Sequence, residues 1–196
     1  CYPESSLRGL GMKGEWRTVC LDEYLTFKNG KLSPDRNIQG NIAVYGSNGI
    51  IGYCLEKNAP SQSIIIGRVG SYCGSVYYSE KECWVTDNAI IGIPKNIKES
   101  YFWFSLLNSL NLNSHKTGSG QPLINQNILN SIETTIPINP KARETIGSFI
   151  KYFDDKIEIN RQINKTLEEM AQALFKSWFI DFEPVKAKIA AKEAGT

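Results

Sequence analysis

The pattern of apolar and polar residues changes character near residue 140. Before it, short apolar runs alternate with glycine-rich turns, which predicts strands at 42–45, 50–55, 63–69, 75–78 and 89–93. Aromatic and leucine side chains that share one helical face predict a helix over 98–110. Pro137 and Pro140 disfavour helix in the residue before each of them, so a boundary is expected there.

After this boundary, apolar side chains recur at alternating steps of four and three from 146 to 178, as in a coiled coil. Asn160 and Asn164 fall on this seam, where polar residues cost stability but fix register and partner number. At ~1.5 Å per residue the helix would reach roughly 50 Å, which favours a spacer or dimeriser over the alternative, one core helix of a bundle. The predicted dimerisation residues are Ile150, Phe153, Ile157, Asn160, Asn164, Leu167, Ala171, Leu174 and Trp178.

These patterns predict an α+β protein, in which a globular mixed α/β domain is followed by a long coiled-coil-type helix. The predicted boundaries are a linker or tail over 1–14, the globular domain over 15–140, the long helix over 141–183 and a tail over 184–196. Neither a long apolar run nor a basic N-terminal region is present, so we expect a cytoplasmic location.

Composition limits the chemistry. Five cysteines without C-x-x-C spacing and one histidine predict free thiols and no zinc cluster. Neither a P-loop nor an Asn/Asp-Pro-Pro-aromatic motif is present, and the carboxylates of Asp154 and Asp155 are expected on a solvated helix face. We therefore expect a noncatalytic chain without a cofactor or metal. A net charge of +2 means that any DNA binding must rely on local charge.

Three glycine-rich segments concentrate side chains that bind phosphate or base edges, at 44–53, 66–72 and 115–126. Any one of them is also compatible with an ordinary turn. Together with the sequences YGSNGIIG (45–52), IGRVGS (66–71), WVTDNA (84–89), TGSGQP (117–122) and ALFKSWFIDFEPVK (173–186), however, they resemble one family. The chain is similar to the specificity (S) subunits of type I restriction-modification systems over most of its length.

This resemblance implies a DNA target-recognition domain that recognises one half of a bipartite site, followed by a conserved-region helix. The residues expected to face DNA are Ser47, Asn48, Arg68, Ser71, Tyr72, Lys116, Ser119 and Gln121. Contacts with the DNA backbone are expected from Lys28, Lys31 and Arg36. Asp87 and Asn88 are expected to hold a turn. Implied partners are double-stranded DNA, methyltransferase (M) subunits that use S-adenosylmethionine, and a restriction (R) subunit that uses ATP and Mg²⁺.

The chain departs from the family in having one recognition domain and one helix, where a full-length S subunit has two of each. Two copies paired through the helix would restore the two-domain form, and a homodimer is the expectation we favour. A piece of a longer subunit is the alternative. An independent dimeric repressor and a coiled-coil protein-interaction scaffold are two further hypotheses that the sequence leaves open.

Overall fold

The computed structural model describes residues 15–35, 39–115 and 123–195. The chain forms two compact units, Cys1–Ile150 and Lys151–Thr196. Strands within the described residues are β1 (Trp16–Cys20), β2 (Leu25–Asn29), β3 (Ile42–Gly46), β4 (Gly49–Cys54), β5 (Ser63–Gly67), β6 (Val76–Ser79), β7 (Trp84–Val85), β8 (Ala89–Pro94) and β9 (Glu133–Pro137). The α-helices are α1 (Ser100–Ser109), α2 (Gln126–Asn130), α3 (Pro140–Phe175) and α4 (Glu183–Glu193).

The strands of the first unit form three sheets. The largest has the order β2-β8-β5-β6 with antiparallel neighbours. A second has the order β4-β3-β7, in which β3 and β7 are parallel, and β1 pairs with β9 in a third. All five predicted strands and the predicted helix are confirmed. The predictions missed β1, β2, β7 and β9, because β7 has only two residues and the other three are short and include threonine and charged residues.

Both faces of β5 are covered, which explains its unbroken isoleucine run. Side chains of adjacent strand residues point to opposite faces. Ile64 and Ile66 pack in one apolar cluster with Trp103 of α1, whereas Ile65 packs in the other with Val85. The four-stranded sheet is therefore the middle layer of the unit, with α1 on one side and the three-stranded sheet on the other.

A buried ion pair joins the start of α3 to the start of α1. Arg143 Nε and Nη2 donate to the two carboxylate oxygens of Glu99 at 2.8 and 3.0 Å. The two side chains are only 4% and 2% exposed. Arg143 Nη1 donates to the carbonyl oxygens of Pro137 and Ile138 at 2.7 and 2.8 Å. The guanidinium thus binds the carboxylate in bidentate fashion and also two backbone carbonyls, an arrangement that offsets much of its desolvation.

Neighbouring side chains complete this joint. Trp103 Nε1 and Asn96 Nδ2 donate to the Glu99 carboxylate at 3.2 and 2.9 Å. The Arg143 guanidinium carbon lies 5.0 Å from the centroid of the Tyr24 ring, within cation–π range. Gly147 allows α3 to approach closely, since a Cβ there would lie 2.7 Å from the backbone nitrogen of Phe102. The first turns of α3 are therefore part of the globular unit.

The second unit contains the rest of α3, a π-helical segment (Lys176–Ile180) and α4. Every predicted dimerisation residue from Phe153 to Trp178 is exposed, and Ile150 is half-buried. Ile159, Ile163 and Met170, which the predicted seam omits, are exposed as well. The apolar surface of this helix is thus broader than a single heptad seam.

The predicted extent of the long helix differs from the structure at its end. α3 ends at Phe175, and Phe182, with a left-handed φ of 53°, separates the π-helical segment from α4. Residues 184–196 were expected to be a tail, but α4 occupies most of them. Pro184 lies in the first turn of α4, where proline needs no backbone donor, and the alanines and lysines that follow favour helix.

Replacing Arg143 by methionine should destabilise the protein by about 3–5 kcal/mol, because Glu99 would remain buried without its counter-charge. The double variant Glu99→Leu/Arg143→Met should recover much of this loss. Lys141→Met is the matched control, since its ion pair with Glu144 is exposed and should contribute at most about 1 kcal/mol. Urea unfolding gives the free energy of unfolding of the single, double and control variants. Equal stabilities of Arg143→Met and the control would contradict the assigned role.

Candidate nucleic-acid interface

Three loops meet at one end of the four-stranded sheet. Because Gly67 of β5 is opposite Ala89 of β8, the loop after β5 (67–75) and the turn before β8 (86–88) lie at the same edge. The turn of the β3–β4 hairpin (46–49) joins them, since Thr86 N donates to the carbonyl oxygen of Tyr45 at 2.9 Å. We call residues 46–49, 67–75 and 86–88 the loop end.

The main chain of the 86–88 turn holds the other two loops. The carbonyl oxygen of Asn88 accepts hydrogen bonds from Ser47 Oγ at 2.5 Å and from Arg68 N at 2.9 Å. The carbonyl oxygen of Asp87 accepts from Arg68 Nη1 at 3.3 Å. Asp87 and Asn88 therefore hold the turn through their backbone oxygens, while both side chains are exposed.

Glycines let these loops approach each other. A Cβ on Gly67 would lie 2.2 Å from the carbonyl oxygen of Tyr72 and 2.9 Å from that of Ser47. Gly49 has a φ of +80° in the hairpin turn, and a Cβ there would meet the Tyr77 ring at 3.1 Å. Gly67 thus allows backbone contact between the two neighbouring loops, and Gly49 allows the hairpin turn.

Both flanks of the third predicted loop also lie at this end. Ile124 N donates to the carbonyl oxygen of Arg68 at 3.0 Å, and Leu123 forms a β-bridge with Val69. On the other flank, the Cα of Gly74 is packed so tightly that a Cβ would lie 2.6 Å from Asn113 N. The predicted site residues Lys116, Ser119 and Gln121 lie outside the described residues, as does Arg36.

The described site residues are brought close together with one exception. Ser47, Asn48, Arg68, Ser71 and Tyr72 all lie at the loop end, and all are exposed except Ser47 and Arg68, which are half-buried. Lys31 borders it through a β-bridge with Thr86. Lys28 is exposed on the edge strand β2, opposite Ile91, and is farther from the loops.

The electrostatic balance of the loop end is mixed. Arg68 is its basic residue, with Lys31 at the border, and the exposed carboxylate of Asp87 opposes them. The buried Arg68 Nε has no hydrogen-bond partner among the described residues. At the opposite end of β5, where Ser63 pairs with Ser79, burial raises the pKa of the Tyr45 phenol and of the Cys83 thiol, so both remain neutral near pH 7. The loop end itself therefore carries only a few local charges.

Other kinds of site are not apparent among the residues that the structure describes. They contain no group of His, Cys, Asp and Glu arranged to hold a metal ion. Within the same residues, no helix is long and apolar enough to cross a bilayer. The cysteines of the described ranges, Cys20, Cys54, Cys73 and Cys83, are not joined in disulfides with one another.

Comparison with known proteins identifies the family. The model of the type I restriction modification DNA specificity domain matches residues 13–169. The chain belongs to this family. This specificity domain is also 49% identical over 74 residues to the HindI specificity subunit of Haemophilus influenzae, covering 38% of this chain and 16% of that protein. It is 35% identical over 98 residues to the MjaIX specificity subunit of Methanocaldococcus jannaschii, covering 48% and 22%.

Solved structures show the same fold. The S subunit of a type I restriction-modification system from M. genitalium superposes with a TM-score of 0.73 at 18% identity, covering 88% of this chain and 49% of that one. A chain from a study of complex assembly and conformational transition in the type I R-M system gives a TM-score of 0.60 at 17% identity, covering 90% and 46%. The specificity domain thus spans under half the length of these proteins.

Gly67→Ala should destabilise the specificity domain by about 1–3 kcal/mol, because the added methyl group would force the carbonyl oxygens of Ser47 and Tyr72 apart. Ser71→Ala is the control within the same loop, since its exposed side chain should change stability by less than about 0.5 kcal/mol. Thermal or urea unfolding compares the two. A Gly67→Ala variant as stable as the wild type would show that the loops are not in the described contact.

Proposed function

We propose that this chain is the DNA-recognition part of a type I restriction-modification enzyme and that its loop end recognises one half of a bipartite target. The supporting observation is that three loops, with the flanking residues Leu123 and Ile124, meet at one end of the four-stranded sheet. They present exposed amide, hydroxyl and phenol groups and the half-buried guanidinium of Arg68. Such groups bind phosphate oxygens and base edges. The family match supports DNA as the ligand.

The long helix supplies the second part of the proposal. Its exposed apolar face needs a partner, because leaving so many large apolar side chains in water is unfavourable. We propose that two copies pair through α3, as a homodimer, with Asn160 and Asn164 fixing the register. A two-fold dimer would recognise a palindromic bipartite site.

Catalysis is assigned to other subunits in this proposal. Methyltransferase subunits would bring S-adenosylmethionine, and a restriction subunit would bring ATP and Mg²⁺, while this chain positions both on the DNA. The exposed aromatic residues Phe175, Trp178, Phe179 and Phe182 offer a surface for such a subunit or for a second copy. A subunit of a restriction enzyme that acts on DNA in the cell interior would be located in the cytoplasm.

Arg68→Ala should weaken binding to a duplex selected by the wild type by about 5- to 150-fold, as expected for loss of a bidentate base contact. Lys31→Ala should instead weaken all duplexes similarly and reduce the salt dependence of binding by about 0.9 in log–log slope. Lys165→Ala, on the exposed surface of α3, is the matched control. Fluorescence anisotropy at several salt concentrations measures these effects. An Arg68→Ala variant that folds and binds like the control would contradict the proposal.

Leu167→Asp should convert the proposed dimer of about 44 kDa into a monomer of 22.0 kDa, since it buries a charge in the paired face. Asn160→Leu should keep the helices associated but allow other registers or partner numbers. Glu168→Ala, on the flanking surface, should leave the mass unchanged. Multi-angle light scattering gives the mass of each. A wild-type chain that is monomeric at tens of micromolar would contradict the homodimer.

A further inference from the structure

Asn88 lies next to both of the other loops of the loop end, and its side chain has no assigned role. It is exposed, and it makes no hydrogen bond with any residue in the ranges that the structure describes. Its backbone carbonyl oxygen, by contrast, accepts from both Ser47 and Arg68, which belong to the two neighbouring loops. The carboxamide is thus carried by a residue whose backbone contacts both loops.

The backbone beneath this side chain is held rigidly. Ala89 N donates to the carbonyl oxygen of Thr86 at 3.0 Å and closes the turn, while Thr86 N donates to Tyr45 O at 2.9 Å. Thr86 and Ala89 are buried on either side of the turn. A free carboxamide on a fixed backbone loses little conformational entropy on binding, because only its own side-chain torsions remain to be ordered.

Ser47 has a different role from the one that the sequence suggested. Its hydroxyl hydrogen is already donated to the Asn88 carbonyl oxygen, so it cannot also be donated to DNA. Ser47 therefore acts as a positioning residue that ties the hairpin turn to Asn88. At this point the loop end presents the exposed carboxamides of Asn48 and Asn88, and that of Asn88 belongs to the turn whose backbone holds the other two loops.

The neighbouring carboxylate indicates which part of DNA this turn approaches. Asp87 is exposed beside Asn88, and it would repel phosphate oxygens. Base edges in the major groove, which include the amino groups of adenine and cytosine, are a more favourable environment for an Asp-Asn pair. The tip of the turn is thus better suited to contact base edges in the major groove than phosphates of the DNA backbone.

We propose that Asn88 is a specificity-determining residue that recognises an adenine through its N6 amino group and N7. This inference rests on the proposed DNA-recognition function of the loop end, and it names the base class that one position would read. An asparagine carboxamide donates to N7 and accepts from N6 in a single bidentate contact.

Selection from a pool of randomised DNA duplexes, followed by sequencing, tests the proposal. The wild type, Asn88→Ala, Asn88→Asp and the control Asn108→Ala, an exposed asparagine on α1, would be compared after thermal unfolding shows that each is folded. For Asn88→Ala we expect an adenine preference to weaken roughly 5- to 150-fold at one position, with the rest of the motif retained. Asn88→Asp should move the preference at that position toward cytosine, whose N4 amino group a carboxylate accepts from.

The possible outcomes distinguish failure of the proposed function from failure of the role proposed for Asn88. A wild type that enriches no motif overturns the proposed function, and this inference with it. A wild-type motif that Asn88→Ala reproduces unchanged overturns the inference alone. Uniform weakening at every position in Asn88→Ala would also overturn it, because it would assign Asn88 to loop positioning rather than to base recognition.

Discussion

The buried ion pair between Glu99 and Arg143 is the constraint that makes the first turns of α3 part of the globular unit. Two charges removed from water cost several kcal/mol each, so this pair is tolerated only because every nearby polar group is satisfied. The bidentate contact fixes the guanidinium and carboxylate planes relative to each other. An apolar contact of similar size would hold the two helices together without fixing such an orientation. The first turns of α3 are therefore held in one orientation against α1, with Gly147 allowing the close approach.

The position of the loop end also depends on the core of the globular unit. β5 and β8 are buried in the middle layer, and their ends determine where the loops begin. Backbone carbonyl oxygens of Asp87 and Asn88 then connect those loops, so their geometry is set by main-chain contacts that tolerate changes in the exposed side chains. Such a division suits a protein in which recognition is to vary while the scaffold stays constant.

The sequence predicted most of this scaffold because its patterns are strong. The isoleucine run 64–66, the hairpin turn at 46–49 and the heptad spacing after residue 146 each have one dominant physical interpretation. It did not predict β9 or the partnership of Glu99 with Arg143, since both depend on tertiary packing. Glu99 and Arg143 are 44 positions apart, and Thr18 and Thr135, which face each other in the β1–β9 pair, are 117 positions apart. In the site, glycine-rich composition indicated the loops correctly, but no sequence pattern showed that Ser47 donates to Asn88 or that the Asn88 carboxamide remains free.

The most direct test of the account is amide hydrogen exchange of the protein with and without a duplex that it selects. The account predicts slowed exchange at residues 46–49, 67–75 and 86–88, and little change on α1, which lies on the other side of the sheet. Protection confined to α1 or to the exposed surface of α3, with unchanged exchange at the loop end, would contradict the claim that these loops recognise DNA.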